Sequence, residues 1–159
     1  MKHSLSALAI ALCAAAPAMA EDVSVEMSTF KLVEVVAEDG TTTIERIAPD
    51  TVLPGDDILY RVEIANAGEE PATEVALALP VHEAMIVAPQ SFASDAEIAV
   101  TFATREAPET FAVFAELTVP LADGGTRPAQ PDDLGAVRVE IAEISAEGTA
   151  FVEYEATVR

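Results

Sequence analysis

The chain has 159 residues, with 28 acidic against 8 basic side chains, one cysteine and no tryptophan, which suits a single domain and would cramp two. A formal charge of −20 excludes a binder of the nucleic-acid backbone, whose affinity comes from Lys and Arg displacing counterions, and argues equally against an anionic membrane surface. Half of the residues are hydrophobic, but 31 are Ala and few are aromatic (Phe 6, Tyr 2), so the core must be mostly aliphatic.

Residues 1–20 have the pattern of a cleavable secretory signal peptide: Lys2 and His3, an apolar run from Leu5 to Ala16, then Ala18-Met19-Ala20 as a small-x-small cleavage site. The run is too short to span a bilayer, which takes about 20 apolar residues, and Pro17 breaks it. No later stretch is long enough, so no transmembrane segment is expected in the mature chain. Cys13 raises a lipoprotein reading, but Leu12 before it is bulkier than the small residue such processing prefers. Cleavage leaves 139 residues from Glu21, with seven basic and 28 acidic groups and a formal charge of −21. That chain has no thiol and hence no disulfide; at this length an apolar core suffices.

From residue 30 onward the chain reads as short period-two segments punctuated by Gly and Pro, the mark of half-buried strands. Segments 30–37 and 41–47 flank Glu38-Asp39-Gly40, where Asp-Gly between β-prone runs signals a hairpin. Ile58, Tyr60, Val62 and Ile64 then alternate with Leu59, Arg61 and Glu63, and Val75, Leu77 and Leu79 with Ala76 and Ala78. Ile98, Val100 and Phe102 follow the same rule, and Pro108 argues against a helix over 93–107 in spite of its Ala and Glu. A strand is expected over 111–119 and a long loop over 120–135, where Gly124-Gly125, Pro128, Pro131 and Asp132-Asp133 gather. Val137, Val139 and Ile141 mark another strand, and Val152, Tyr154, Ala156 and Val158 the last. About eight such strands predict an all-β sandwich, one domain over 21–159 after the signal peptide. Tyr60, Val62, Ile64, Val75, Leu77, Val139, Ile141, Val152 and Tyr154 are its expected core.

One region carries a family likeness. The stretch 52–68, with its Pro54-Gly55-Asp56 turn, the strand containing Tyr60 and the turn Asn66-Ala67-Gly68, leads through Pro71-Ala72 to a strand ending at Pro80. It resembles the bacterial conserved-repeat domain known as domain of unknown function eleven. The likeness continues more weakly through Pro89-Gln90-Ser91, Val100-Thr101-Phe102 and Val137-Arg138, over about residues 45–158. The resemblance implies an immunoglobulin-like β-sandwich of about 7–9 antiparallel strands in exported or surface proteins, often in tandem copies and without a known catalytic site. This chain departs from it in having a single copy, and in carrying Ala103-Thr104-Arg105-Glu106-Ala107 where many members have an Asp-Gly-Gly turn. Turn chemistry accounts for Pro54, Gly55, Asp56, Asn66 and Gly68 as structural residues. Pro54 presets φ, Gly55 accepts φ > 0, Asn66 can bond to backbone, and Gly68 can take a left-handed conformation.

The chemistry-bearing residues are sparse. His82 is the one histidine left after cleavage, in Pro80-Val81-His82-Glu83, and no Gly-x-Ser-x-Gly motif accompanies it; it reads as a surface residue at a loop edge. Among 28 acids any carboxylate pair has little specificity for glycoside hydrolysis. The pairs Asp56-Asp57, Glu69-Glu70 and Asp132-Asp133 could offer oxygens to calcium, but no Asp-x-Asp-x-Asp-Gly loop is present. The expectation is therefore a non-enzymatic module without cofactor or metal, structural or binding another envelope or surface protein, periplasmic or extracellular. The alternative is a carbohydrate-binding module, for which Phe114 and Phe151 are the aromatics to watch, since each alternates against its neighbours.

Overall fold

The computed structural model describes residues 22–159; the expected signal peptide, with Cys13 and the cleavage point before Glu21, lies outside these residues. Twelve strands fill the described chain: β1 (Val23–Val36), β2 (Thr42–Ile47), β3 (Asp57–Asn66), β4 (Ala72–Pro80), β5 (Met85–Val87), β6 (Ala93–Ser94), β7 (Ile98–Thr104), β8 (Ala107–Ala112), β9 (Thr118–Pro120), β10 (Thr126–Pro128), β11 (Leu134–Ile144) and β12 (Thr149–Val158). Four of them, β5, β6, β9 and β10, are only two or three residues long, which is why the period-two signal resolves about eight. One sheet has the order β2-β1-β3-β12-β5, with β6 also on β12; the other has the order β4-β11-β7-β8, and β9 and β10 form a separate pair. Every pairing is antiparallel. The fold is all-β, as expected.

The alternation decides what lies between the sheets. Val62, Ile64 and Val152 from the first sheet meet Leu77, Leu79, Val137, Val139, Ile141 and Phe102 from the second, and all are buried. Five of the aromatic rings form a continuous row through this core. Tyr60 stacks on Tyr154 with centroids 5.0 Å apart, Tyr154 on Phe92 at 5.1 Å, and Phe92 meets Phe102 edge-on, as does Phe102 with Phe114. Such offset and edge contacts suit the ring quadrupoles. Burial pushes the Tyr154 phenol up to about 12, with the neighbouring Tyr60 adding to it.

Three expectations need correction. The segment 111–119 is not one strand: β8 stops at Ala112, a 3-10 turn covers Phe114–Glu116, and β9 follows. The turn lets Phe114 join the aromatic row while Leu117 and Val119 are buried. The region 120–135 is not an unstructured loop, because β9 and β10 pair across Leu121–Gly125 and the chain returns so that Ala129 N–H donates to Leu117 O at 2.8 Å. Backbone groups beside a core need partners, and this segment finds them in itself. Of the expected core residues, Tyr60 and Val75 are only half-buried. Their position explains this: β4 is an edge strand, and the first sheet extends past it through β1 and β2.

Candidate functional site

The structural turn residues can be placed one by one. Leu53-Pro54-Gly55-Asp56 forms a turn closed by Asp56 N–H to Leu53 O at 3.0 Å, with Gly55 at φ +93°, so Pro54 and Gly55 fill the second and third positions of a type II turn. Asp56 Oδ2 accepts from Leu53 N–H at 2.7 Å and from Lys31 Nζ at 2.6 Å. The Lys31 ammonium and then the Leu53 N–H hold its carboxyl below the usual range. Gly55 N–H donates to Val158 O and Val158 N–H to Asp56 O, tying the turn to the end of β12.

Asn66 does more than cap its own turn. It is 3% exposed, and its Nδ2 donates to Glu70 O at 2.8 Å, Ser145 O at 3.1 Å and, more weakly, Ile144 O at 3.3 Å, while Oδ1 accepts from Gly68 N–H at 3.1 Å. One amide therefore joins the β3–β4 turn to the β11–β12 turn. Gly68 does not adopt the left-handed conformation expected of it, since positive φ among the glycines is confined to Gly40, Gly55 and Gly124. Its requirement is space: a Cβ there would lie 3.2 Å from Asn66 Oδ1 and 3.3 Å from Asp22 Oδ2.

Most of the side chains considered for chemistry are engaged locally. His82 is exposed, and its Nδ1 accepts from Ala84 N–H at 3.1 Å, a turn contact. Two of the three carboxylate pairs are split between different partners: Asp56 on Lys31, Asp57 on the Thr157 hydroxyl, Asp132 on Arg159, and Asp133 on Arg127 through two oxygens. Among the described residues no group of three or more potential metal ligands converges. Phe114 lies in the aromatic row, and Phe151 lies under the Arg61 guanidinium, 4.1 Å from its centroid. Neither ring is a bare platform of the kind that stacks a sugar.

The outer face of the larger sheet holds an ion-pair cluster that sequence reasoning missed. Arg46 on β2 reaches Glu153 on β12 through two bonds, 2.8 and 3.1 Å, and Arg61 on β3 reaches the same carboxylate at 2.8 Å. Strands lie about 4.8 Å apart, and β1 and β3 stand between β2 and β12, so this contact requires the sheet to curl toward that face. Burial works against the charged Glu153, but the two guanidiniums outweigh it and hold its pKa below the usual carboxylate value.

A lateral seam is the other feature, and it is the candidate site. Among the described residues, 23–30 of β1 pair with β3 on one side only, because β2 covers only Lys31–Val36. The face of β1 that carries Val23, Val25 and Met27 is shared with Ile64 and Val62 in the β1–β3 register. The opposing sheet ends at β4, however, and leaves Val25 46% and Met27 51% exposed. At one end a cleft of about 180 Å³ opens between the sheets, lined by Met27, Tyr60, Leu79, Met85, Val87 and Tyr154. It is smaller than the roughly 300–1,000 Å³ of small-molecule sites and suits a single side chain. The alternation Val23, Val25, Met27 against Ser24, Glu26, Ser28 was the signal that could have revealed this strand, which the expected segment 30–37 omits.

No family model, curated protein or solved structure matches the chain, so the resemblance to the conserved-repeat domain draws no support from these comparisons. No helix among the described residues is long and apolar enough to cross a membrane.

Proposed function

We propose that this chain is an exported, non-enzymatic β-sandwich of immunoglobulin-like type that acts by binding another protein of the bacterial envelope or surface. The observation that carries the reading is the seam: apolar side chains are uncovered beside two strand edges, on β1 and on β4, that are unpaired among the described residues. Proteins normally blunt or cover such edges, and an apolar patch beside one marks an interaction surface. The signal-like residues 1–20 support export, and the excess of carboxylates keeps the free molecule from associating with itself.

The test is photo-crosslinking in the producing cell from single positions spread over the surface, including Val25, Ile44, Val113 and Leu121, all exposed. A discrete adduct with a second protein from at least one position is expected. No adduct from any position, together with binding of the purified protein to a glycan array, would replace this reading by the carbohydrate-binding one. His82→Ala should leave the cellular role intact; loss of that role with an unchanged melting temperature would point to chemistry instead.

A further inference from the structure

The seam also defines what fits it. Resting on the interaction reading, we infer that the seam takes an extended segment of a partner protein, added beside β4 as a fifth strand of the smaller sheet, with apolar residues at alternate positions and Lys or Arg between them. Pairing at β4 is favoured over pairing at β1 for a geometric reason. A strand beside β4 continues the smaller sheet over the exposed faces of Val25 and Met27, whereas one beside β1 lengthens the overhang and leaves both uncovered. Successive side chains of a strand point to opposite faces. Those on the Val75, Leu77 and Leu79 side would therefore meet Val25, Met27 and the cleft by Tyr60, which calls for apolar residues at every second position.

The residues between them would emerge on the outer face of the smaller sheet. The floor there is Ala76, Ala99 and Ala142, and around it stand Glu74, Glu97 and Glu140, none of them in an ion pair among the described residues. Arg138 of β11 is drawn to the other side, its guanidinium 4.1 Å from the Phe111 ring on β8. The remaining basic groups of the described residues are engaged as well: Lys31, Arg46, Arg61, Arg127 and Arg159 in ion pairs, and Arg105 on the Val81 carbonyl. Glu74, Glu97 and Glu140 thus have no ion-pair partner among the described residues, and a partner segment bearing cations supplies one. A second copy would bring Glu26 and Glu74 of its own to the same seam, so like charge disfavours it. Glu74 at φ +53° bends the start of β4 and Pro80 ends it without an N–H, which limits pairing to about Val75–Leu79.

The probe is a blocked peptide of about eight residues alternating Val and Lys, titrated into the isotope-labelled exported protein and followed by NMR. Chemical-shift changes should concentrate at Val25, Met27 and residues 75–79 and weaken with salt. A peptide of the same composition with its Val residues grouped should bind at least about ten-fold more weakly, about 1.4 kcal/mol, as should a peptide alternating Val and Glu. Met27→Lys, at an exposed position, should cost a similar factor, and Ile44→Lys on the opposite face none. Equal binding of the grouped peptide, shifts confined to other surfaces, or indifference to Met27→Lys would overturn the assignment. So would a protein that is already a dimer with this seam closed. If the peptide fails while crosslinks to a partner still form elsewhere, the seam assignment falls and the interaction reading stands; if no crosslink forms anywhere, the broader reading falls first.

Discussion

Asn66→Ala is the most informative single change to the fold. The parent amide makes three well-formed hydrogen bonds, to Glu70 O, Ser145 O and Gly68 N–H, besides the longer one to Ile144 O. At about 1 kcal/mol net per bond, and with carbonyls left in a buried corner, the loss should come to about 3 kcal/mol. For a domain of this size that lowers the melting temperature by about 10 °C. Urea unfolding followed by far-ultraviolet circular dichroism measures it directly, since the chain has no Trp to report by fluorescence. Asn66→Asp sharpens the test. It keeps the acceptor for Gly68 N–H but turns oxygen toward the carbonyls that Nδ2 now bonds, so burial and those dipoles raise its folded pKa above the unfolded value of about 3.9. Above the unfolded pKa the unfolded chain then releases a proton that the folded one keeps. The penalty relative to the parent must therefore grow with pH and be larger near neutrality than below about pH 4. A loss under about 1 kcal/mol for Asn66→Ala, or a pH-independent penalty for Asn66→Asp, would refute the claim that this amide joins the two turns.

Gly135 occupies a bulge of β11 where a Cβ would lie 2.9 Å from Arg105 Cα; Gly135→Ala should cost about 1–3 kcal/mol through backbone displacement, again by urea unfolding. Ile141→Ala, at a fully buried position, should cost about 2–5 kcal/mol, whereas Ile44→Ala, 61% exposed, should change stability by less than about 0.5 kcal/mol. The Arg127 guanidinium, helped by the Gln130 N–H and opposed by burial, lowers the Asp133 carboxyl to about 2. Its contribution is present above the unfolded carboxylate pKa and is lost as pH falls from about 4 toward 2. Arg127→Ala should remove much of that dependence and move the acid-unfolding midpoint to higher pH; an unchanged midpoint would contradict the assignment.

Local periodicity and turn chemistry were legible in the sequence by itself. The period of two along Ile58–Ile64 and Val137–Ile141 follows from side chains alternating across a strand, and Pro54-Gly55 specifies its own turn because φ is fixed at one residue and positive φ tolerated at the next. Asn66 was legible as a residue bonding to backbone, but its partners Ile144 and Ser145 lie 78 and 79 positions away, a distance no local pattern encodes. The same holds for Arg46 and Glu153, 107 residues apart, whose meeting depends on the curl of a sheet. Gly68 shows the limit from the other side: a glycine in a turn suggests positive φ, whereas here φ is ordinary and a Cβ would press on Asn66 of the same turn and on the distant Asp22. The seam was decided only by the assembled layers. Val25 and Met27 carry the same alternation as buried Val62 and Ile64, and they are exposed because the opposing sheet stops at β4. Alternation says which residues share a face, and only the extent of the facing sheet says whether that face is covered.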